Sequence, residues 1–305
     1  MRPTHRYGDR MDIAITGSSG LIGTALTTAL RKRGDRVVRV VRRAAGTDEV
    51  QWDIDAGTID AAGLDGIDGV VHLAGEGIGE KKWTPEQKRK VKESRTKGTA
   101  LLSEALAGLD RKPEVFISGS AIGYYGNRGD EVLVESSMPG NDFLSEVVTA
   151  WEDAADPARE AGIRVAHIRT GIVLSTEGGA LKEQLPFFKL GIGGRFGDGS
   201  QYWSWVSITD QVNAILHILD TDISGPVNVT APNPTTNAEF TTTLGKALSR
   251  PTLFPTPRFA VNLRLGAELA EALLFTSARV LPDVLQKSGF TFTHETLGEA
   301  LEDIL

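Results

Sequence analysis

The sequence predicts an α/β protein: a doubly wound parallel sheet with helices on both faces, followed by a smaller, mostly helical C-terminal region. Two observations predict this class. Through residue 170, short apolar runs suited to buried strands alternate with longer segments of helical periodicity. The strand runs are apolar at successive positions, as in strands that helices cover on both sides. With 305 residues, of which 40% are hydrophobic, the chain can bury a large core.

Each element of the first part has its own local signal. The helix after the first strand keeps its apolar side chains on one face until Gly34 supplies a stop. A Thr84-Pro85 pair opens a long charged helix. The predicted strands are residues 12–16, 36–41, 50–52, 69–74, 114–118 and 164–169. The predicted helices are residues 21–33, 85–106 and 142–161.

Beyond residue 174 the pattern changes, which suggests a division into regions. Residues 175–206 are rich in glycine and aromatic residues, 210–219 are helical, 226–230 form a late strand, and helices follow from 237. We expect a sheet domain of residues 11–174, to which 207–230 return, and a C-terminal substrate or cap region of 175–206 and 231–305. Residues 1–10 are basic and polar, as expected of a tail or of a linker from a missing upstream domain.

Composition excludes several classes of function. The 40 acidic and 33 basic side chains give a net charge of −7, so broad attraction to nucleic acid or to an anionic membrane is not expected. Cysteine is absent, which rules out disulfides and thiolate metal sites, and the five histidines show no metal-binding spacing. No targeting segment is visible and no apolar run approaches the ~20 residues of a membrane span, which predicts a cytoplasmic protein.

The turn after the first strand carries the strongest functional signal. Gly17 permits a tight turn, Gly20 lets a pyrophosphate approach bare backbone, and Gly23 lets the helix pack close to the sheet. The helix N-terminus offers free N–H groups and a partial positive charge to phosphates. The turn therefore predicts a Rossmann-type dinucleotide site, and the alternative is a glycine turn without a ligand. Its residues are Gly17, Ser18, Ser19, Gly20, Leu21, Ile22 and Gly23.

The end of the second strand indicates which dinucleotide binds. An acidic residue there would accept the ribose hydroxyls of NAD, whereas this chain has Arg42 and Arg43. Two guanidinium groups suit the 2′-phosphate of NADP(H), with Ser18 close enough to help, so NADP(H) is expected to be preferred over NAD(H). The alternative is a pair of solvated surface arginines. Asp53 and Ile54 follow the third strand, where the adenine amino group could find an acceptor. The next strand ends on the cofactor side with Leu73, Ala74 and Gly75.

Several segments together resemble a known family. TGSSGLIG, HLAG and SGSAIGYYG resemble the extended short-chain dehydrogenase/reductase superfamily, which includes nucleotide-sugar epimerases and dehydratases. HLAGEGIGEKKWT, GSQYWSWVSITD, NPTTNAEF and LLFTSARVLPDVLQKSGFTF resemble, more narrowly, its atypical "epimerase family protein" branch. The similarity runs from Met11 to Leu305. It implies an NAD(P)-binding Rossmann fold followed by a C-terminal domain of unknown function.

The resemblance departs from the superfamily at the catalytic pair. Ordinary members use Tyr-xxx-Lys on one helix face, where the lysine holds the ribose and lowers the pKa of the tyrosine. Aligning Glu152 with the glutamate that usually follows this pair puts Leu144 at the tyrosine position and Val148 at the lysine position. Neither side chain can carry a proton, so the pair is predicted to be absent.

A serine and two tyrosines are the candidates for replacing the pair. Ser120 resembles the superfamily serine that hydrogen-bonds the substrate oxygen, and Tyr124 or Tyr125 could supply a phenol from the same loop. An unassisted tyrosine has a pKa near ~10 and would act better as an acid than as a base. The alternative is a loop that packs on the nicotinamide without chemistry. Ser118 and Gly119 precede this loop at a strand end, where α/β sheets bind ligands.

The resemblance suggests further contacts to cofactor and substrate. It places Arg95 near the cofactor, where it would touch ribose, phosphate or substrate unless it pairs with a surface carboxylate. Arg195, Gln201 and Trp203 are candidates for a substrate cleft, through phosphate pairing and ring stacking. The alternative for them is core packing of the tryptophan and a solvated arginine. The nicotinamide carboxamide is expected to meet the backbone of Thr170, Gly171, Ile172 and Val173.

Two functions remain in view. The first is an NADP(H)-dependent oxidoreductase or nucleotide-sugar epimerase-like enzyme acting on a small molecule, such as a nucleotide sugar or a carbonyl compound. The second is a catalytically silent NADP(H)-binding sensor or protein-interaction module, which the absent Tyr/Lys pair favours. We prefer the enzyme, because the cofactor turn is intact and a separate cap region follows it. The apolar segment 264–275 could support a homodimer, although core packing is the alternative.

Overall fold

A mostly parallel sheet of eight strands forms the centre of the computed structural model, which describes residues 10–305. The predicted tail at residues 1–10 lies, apart from Arg10, outside the described residues. The strands are β1 (Asp12–Thr16), β2 (Arg36–Val41), β3 (Glu49–Asp53), β4 (Thr58–Ile59), β5 (Gly69–His72), β6 (Val115–Ala121), β7 (Val132–Leu133), β8 (Arg164–Thr170), β9 (Ile172–Leu174), β10 (Tyr202–Trp203), β11 (Trp205–Ser207), β12 (Gly225–Val229), β13 (Thr235–Thr236) and β14 (Arg279–Val280). The central sheet has the order β12-β8-β6-β5-β1-β2-β3-β4, in which only β4 runs antiparallel to its neighbour.

Helices cover both faces of this sheet. α1 and α6 pack on one face through side chains such as Leu30 and Ile215, and α2 and α4 pack on the other through Leu102 and Ala158. The helices are α1 (Leu21–Arg33), α2 (Pro85–Ala107), α3 (Phe143–Asp153), α4 (Asp156–Glu160), α5 (Gly179–Lys189), α6 (Ile208–Leu219), α7 (Asn237–Ala247), α8 (Arg258–Leu265), α9 (Ala267–Ala270), α10 (Asp283–Lys287) and α11 (Leu297–Ile304). The predicted fold class, a doubly wound parallel α/β sheet, is confirmed.

One predicted helix is two helices in the structure. The segment 142–161 divides into α3, which ends at Asp153, and α4, which carries Pro157 in its first turn. Proline has no N–H to donate, and its ring clashes with the carbonyl four residues earlier, which here belongs to Asp153. The chain therefore ends one helix and starts another, and the single-helix prediction was wrong.

The strand order creates a crevice at the carboxyl end of β1. From β1 the chain builds outward to β2 and β3 on one side, and then to β5, β6 and β8 on the other. The loops that leave β1 and β5 consequently turn in opposite directions, which leaves a gap where α/β sheets bind ligands. β12 returns to the edge beside β8.

The C-terminal region packs beside this carboxyl edge. Its own apolar core is formed by α5, α7 and α11 and contains Trp203, Phe240 and Leu301. β14 pairs with β7, and β11 pairs with β9, so strands that directly follow β6 and β8 hold the region in place. No helix among residues 10–305 is long and apolar enough to cross a membrane. In that same part of the chain, no three His, Asp or Glu side chains are grouped so that they could hold a metal ion.

Candidate cofactor and substrate site

The turn from β1 into α1 is bare backbone for two different reasons. Gly17 has φ +66°, and a Cβ there would lie 2.8 Å from the Leu73 carbonyl. A Cβ on Gly23 would lie 2.2 Å from the oxygen of Gly17, so the packing itself requires both glycines. At Gly20 an added Cβ would meet only that same oxygen, at 3.3 Å. The open space beside Gly20 is therefore available to a ligand.

The N-terminus of α1 has no side-chain cap. Gly20 is its N-cap residue, no acidic residue lies in its first turn, and the N–H groups of Leu21, Ile22 and Gly23 donate to no atom of the described residues. By contrast, α2, α3, α6, α7 and α11 each have a Thr, Asp or Ser cap. Ser18 is half-buried and Ser19 is exposed beside this helix end. Unpaired N–H groups at a positive helix end fit a pyrophosphate.

A cleft runs from this turn along the carboxyl ends of β5, β6 and β8. Trp151 and Ile168 line it, although neither was among the predicted site residues. Ser118 is fully buried behind it, and Gly171 packs so tightly that a Cβ would lie 2.5 Å from the Ser204 oxygen. The lining residues that the sequence did predict are Gly17, Gly20, Leu21, Ile22, Gly23, Leu73, Gly119, Ser120, Thr170 and Val173.

Thr16 ties β1 to the end of β5 at the floor of the cleft. Its Oγ1 accepts hydrogen bonds from the N–H groups of Leu73 and Ala74, at 3.0 and 3.1 Å, and lies 2.7 Å from His72 Nδ1. Burial lowers the pKa of His72 to about 4, so this ring is neutral at physiological pH. His72 is therefore a packed strand residue. After it the chain leaves β5 through the half-buried Ala74 and the exposed Gly75.

The two arginines after β2 lie in different surroundings. Arg43 donates from Nη1 and Nη2 to the two carboxylate oxygens of Glu49, both at 2.6 Å, and this pairing lowers the pKa of Glu49 to about 2. Arg42 is exposed and forms no ion pair with any residue of the described chain. Asp53 accepts two backbone N–H groups of its own turn with Oδ1, and Ile54 is half-buried beside it. Of the two arginines, Arg42 is thus the one without an ion pair among the described residues.

Arg95 is buried, which contradicts the alternative of a surface salt bridge. It is 8% exposed, and its Nη1 donates to the backbone oxygens of Glu76 and Val91 at 3.0 Å each. Its guanidinium carbon lies 5.1 Å from the centre of the Trp151 ring that lines the cleft. Burial lowers the pKa of Arg95 to about 10, so it stays charged at neutral pH. Within residues 10–305 no carboxylate lies at salt-bridge distance of Arg95, although the charge of Glu76 raises the pKa of Arg95 and partly offsets the effect of burial.

Ser120, Glu152 and Arg169 form one hydrogen-bonded group at the cleft. The Ser120 hydroxyl donates to Glu152 Oε1 at 2.6 Å. Arg169 donates from Nε to Glu152 Oε1 and from Nη2 to Oε2, both at 2.8 Å. The side chains of Arg169 and Glu152 are 3% and 12% exposed. Sequence reasoning did not place Arg169 in the site, although a charged residue near the end of the apolar strand β8 was the available signal.

The two candidate tyrosines differ in access. Tyr125 is fully buried, and its hydroxyl donates to Asn228 Oδ1 at 2.7 Å while accepting from Arg169 Nη1 at 3.1 Å. Burial raises the pKa of Tyr125 to about 12, which makes it a poor proton donor. Tyr124 is half-buried, and its ring lies 3.5 Å from the guanidinium carbon of Arg169. The structure thus directs Tyr125 into the interior and leaves Tyr124 nearer the surface.

The positions of the expected Tyr/Lys pair are apolar and packed. Leu144 and Val148 lie on the face of α3 that contacts the turn at Gly123. Val148 is 3% exposed. At the two positions that the sequence comparison assigns to the expected Tyr/Lys pair, α3 carries the aliphatic side chains of Leu144 and Val148.

The predicted substrate residues do not come together at the cleft. Trp203 is 3% exposed and packs on Phe240 in the C-terminal core, which corrects its assignment as a stacking platform. The Gln201 amide is buried and donates to the backbone oxygens of Phe196 and Leu274. It therefore connects two loops instead of facing the cleft. Arg195 is half-buried, and its Nε is a buried atom without a hydrogen-bond partner among the described residues.

Comparison with known proteins identifies the family. A family described as NAD dependent epimerase/dehydratase matches residues 13–230, and a domain of unknown function, DUF1731, matches residues 256–304. The chain belongs to the NAD-dependent epimerase/dehydratase family. An epimerase family protein of Mycobacterium bovis is 44% identical over 291 residues, which cover 95% of this chain and 96% of that protein. Human epimerase family protein SDR39U1 is 34% identical over 299 residues, covering 97% and 100%.

Solved structures confirm the fold. The crystal structure of human SDR39U1 with NADPH has a TM-score of 0.88 and 33% identity, and the match covers 96% of this chain and 99% of that one. A UDP-glucose 4-epimerase of Thermotoga maritima, solved with UDP-glucose, has a TM-score of 0.74 at 18% identity, covering 96% and 97%. The resemblance to the epimerase branch is confirmed, and the fold is an NAD(P)-binding Rossmann fold.

Proposed function

We propose that this epimerase-family protein is an NADP(H)-dependent oxidoreductase or epimerase-like enzyme for a small molecule. The observation that carries the proposal is the continuous cleft from the uncapped N-terminus of α1 to Ser120. A pyrophosphate fits the first end, and the second end offers a hydroxyl beside a buried ion pair. The human relative crystallised with NADPH supports the same ligand class here.

The residues of the cleft fit a dinucleotide in an extended form. The turn at residues 17–23 would hold the pyrophosphate, and Asp53 and Ile54 would meet the adenine. Arg95 would supply the positive charge on the nicotinamide side that Val148 cannot supply, because its guanidinium lies against the cleft wall and no carboxylate of residues 10–305 is at salt-bridge distance. When bound, the cofactor would exchange a hydride with the substrate. The remaining residues proposed for its nicotinamide half are Leu73, Ala74, Gly75, Ser118, Gly119, Thr170, Gly171, Ile172 and Val173.

NADP(H) is proposed as the preferred cofactor because of the charge at the adenosine end. Arg42 is exposed and unpaired within the described residues, so it can turn toward a 2′-phosphate without losing a partner. Arg43 adds positive charge, although Glu49 holds it in the free protein. A hydrogen bond to a charged group contributes roughly 1.5–3 kcal/mol, which corresponds to about tenfold to a hundredfold in affinity.

For the chemical step, Ser120 is the proposed contact to the reacting oxygen, since it lines the cleft. Tyr124 is a second candidate, while buried Tyr125 supports Arg169 from behind. The C-terminal region of residues 175–206 and 231–305 would cover the substrate, with Arg195 as its candidate anion contact. Nucleotide-sugar and carbonyl compounds are the substrate classes that the family suggests.

A silent NADP(H)-binding sensor is the second candidate. The aliphatic pair Leu144 and Val148 favours it, since α3 brings neither a phenol nor an ammonium group to the cleft. The two candidates share the cofactor and differ only in turnover.

Calorimetric titration with NADPH and NADH tests the common part. Absence of heat with both would contradict either function. The loaded protein is then screened against nucleotide sugars, carbonyl compounds and alcohols, with product detection and absorbance of the reduced nicotinamide as readouts. We expect turnover that Ser120→Ala abolishes and that exposed Ser224→Ala leaves intact. Tight NADPH binding without turnover in the whole screen would support the sensor.

A further inference from the structure

We propose that Glu152 is a positioning residue that makes Ser120 a hydrogen-bond acceptor toward the cleft, so that the cleft favours a ligand that donates a hydrogen bond there, as a hydroxyl does. The inference rests on the proposed function and specifies its substrate class as alcohols rather than carbonyl compounds. The inference depends on the direction in which the hydrogen of the Ser120 hydroxyl points.

The direction of the Ser120 bond follows from its partners. Glu152 Oε1 accepts from Ser120 at 2.6 Å and from Arg169 Nε at 2.8 Å, while Oε2 accepts from Arg169 Nη2 at 2.8 Å. An ionised carboxylate has no hydrogen to donate. The hydrogen in the shortest of these bonds must therefore belong to Ser120.

Arg169 fixes the orientation of the Glu152 carboxylate. Two parallel N–H donors from one planar guanidinium hold both of its oxygens in place. Arg169 is itself held at Nη1 by the Tyr125 hydroxyl at 3.1 Å and the Glu135 backbone oxygen at 3.2 Å. The pair cannot rotate without breaking several buried hydrogen bonds, so Ser120 meets the same acceptor in each molecule.

The consequence lies on the open side of Ser120. This residue is 5% exposed, lines the cleft, and receives no hydrogen bond from any donor in residues 10–305. A ligand that reaches Ser120 Oγ therefore meets the lone pairs of this oxygen and not its hydrogen. A substrate hydroxyl can donate to them, whereas a carbonyl oxygen would face another acceptor and lose its own hydrogen bonds to water.

Dead-end complexes test this preference without turnover. Cyclohexanol is titrated into the NADPH-loaded protein and cyclohexanone into the NADP⁺-loaded protein, and the ratio of the two dissociation constants is the readout. We expect the alcohol to bind about threefold to tenfold more tightly, which is the effect of one neutral hydrogen bond. Ser120→Ala should bring the ratio near one.

A double variant removes the cause while leaving no unpaired buried charge. Glu152→Met with Arg169→Met frees the Ser120 hydroxyl to rotate, so the ratio should shift toward the ketone. The matched control is Glu146→Met with Lys92→Met, an exposed ion pair between the same helix α3 and α2, which should leave the ratio unchanged. If the Glu152→Met, Arg169→Met variant keeps the wild-type ratio of dissociation constants, the proposal is overturned.

A neutron structure decides the question even where neither probe binds or the double variant does not fold. Density for the hydroxyl deuteron of Ser120 between Ser120 and Glu152 is the expected result. A deuteron on Glu152, or one pointing into the cleft, would overturn it. Failure to bind NADPH would contradict the proposed function and not this inference. The neutron structure of the free protein would still test the Ser120–Glu152 hydrogen bond.

Discussion

Adjacent residues of the same type differ in what they can do, as Arg42 and Arg43 show. Both follow β2, yet Arg43 is held by Glu49 at 2.6 Å and Arg42 has no ion-pair partner among the described residues. Free energy gained by binding a phosphate is offset wherever an existing ion pair has to break. Arg42 is consequently the better candidate for cofactor discrimination.

Replacing Arg42 with alanine should weaken NADPH binding by about tenfold to a hundredfold while changing NADH binding little, because only NADPH carries the 2′-phosphate. Calorimetric titration with both cofactors measures the two effects. Arg89→Ala, an exposed cation on α2, is the control for net charge. Equal losses for NADPH and NADH would remove the assignment.

Glu135 predicts a pH dependence of stability. It is 8% exposed, its Oε1 accepts from the N–H groups of Asn228 and Val284 at 3.0 and 3.1 Å, and its Oε2 has no partner in the described residues. Burial raises the pKa of Glu135 above its usual value. The stabilising contribution of the protonated form is therefore fully present below the unfolded pKa and is lost as the pH rises through the folded pKa.

Glu135→Gln keeps the accepting oxygen and removes the charge. We expect its free energy of unfolding to exceed that of the wild type at about pH 8 and to match it at about pH 3, where the unfolded carboxyl is also protonated. Urea unfolding at the two pH values measures this, with the exposed Glu131→Gln as a control. An equal difference at both pH values would contradict the sign argued here.

At the scale of elements, the start of α1 combines two requirements in one short turn. Gly17 and Gly23 are needed by the packing of helix on strand, whereas Gly20 leaves space for a ligand. Sequence reasoning recognised the motif, but which glycine serves the fold and which serves the ligand became visible only from the positions of their neighbours.

Gly20→Ala and Gly23→Ala should therefore fail in different ways. The first methyl enters the space left for the pyrophosphate, so affinity for NADPH and NADH should fall together while stability stays nearly unchanged. The second would lie 2.2 Å from the Gly17 oxygen and should destabilise the protein by about 1–3 kcal/mol. Thermal unfolding and cofactor titration of both variants separate these outcomes. Similar stability losses in the two would contradict the distinction.

Most strands and helices of the Rossmann part were predictable from local patterns, since each buries a regular apolar face. The break between α3 and α4 was missed, because an otherwise helical pattern concealed the effect of Pro157 on the preceding turn. The glycine turn was predicted correctly as the start of α1. The sequence did not link Arg169 to Glu152, because they are 17 positions apart and come together only through the packing of α3 on β6, the strand that pairs with β8.

At the scale of the whole molecule, the C-terminal region has its own core but shares hydrogen bonds with the rest. Leu301 is fully buried there beside Trp203 and Phe240. Asn228 Nδ2 of the sheet domain donates to the Leu281 oxygen at 2.9 Å, and β14 pairs with β7 near the carboxyl edge of the sheet. These connections favour one cooperative unit over two independently folding ones.

Leu301→Ala should accordingly lower the free energy of unfolding by about 2–5 kcal/mol, because it leaves a cavity in a fully packed core. The variant should still unfold in a single transition. NADPH at about 100 times its dissociation constant should raise the free energy of unfolding by roughly 2.7 kcal/mol in both the variant and the wild type. Tryptophan fluorescence and circular dichroism follow the transition, with the exposed Leu305→Ala as the control. Two separate transitions, with only one responding to NADPH, would show that the regions unfold independently.

The sequence by itself determined the sheet class, the dinucleotide turn and the family, because these depend on local periodicity and on residues that are close together in the chain. Only the tertiary structure decided that Trp203 and Gln201 are internal, that Arg95 is a buried cation without a carboxylate partner within residues 10–305, and that Ser120 donates to Glu152. Burial and hydrogen-bond direction depend on residues that folding brings together from distant elements, and no local pattern records them.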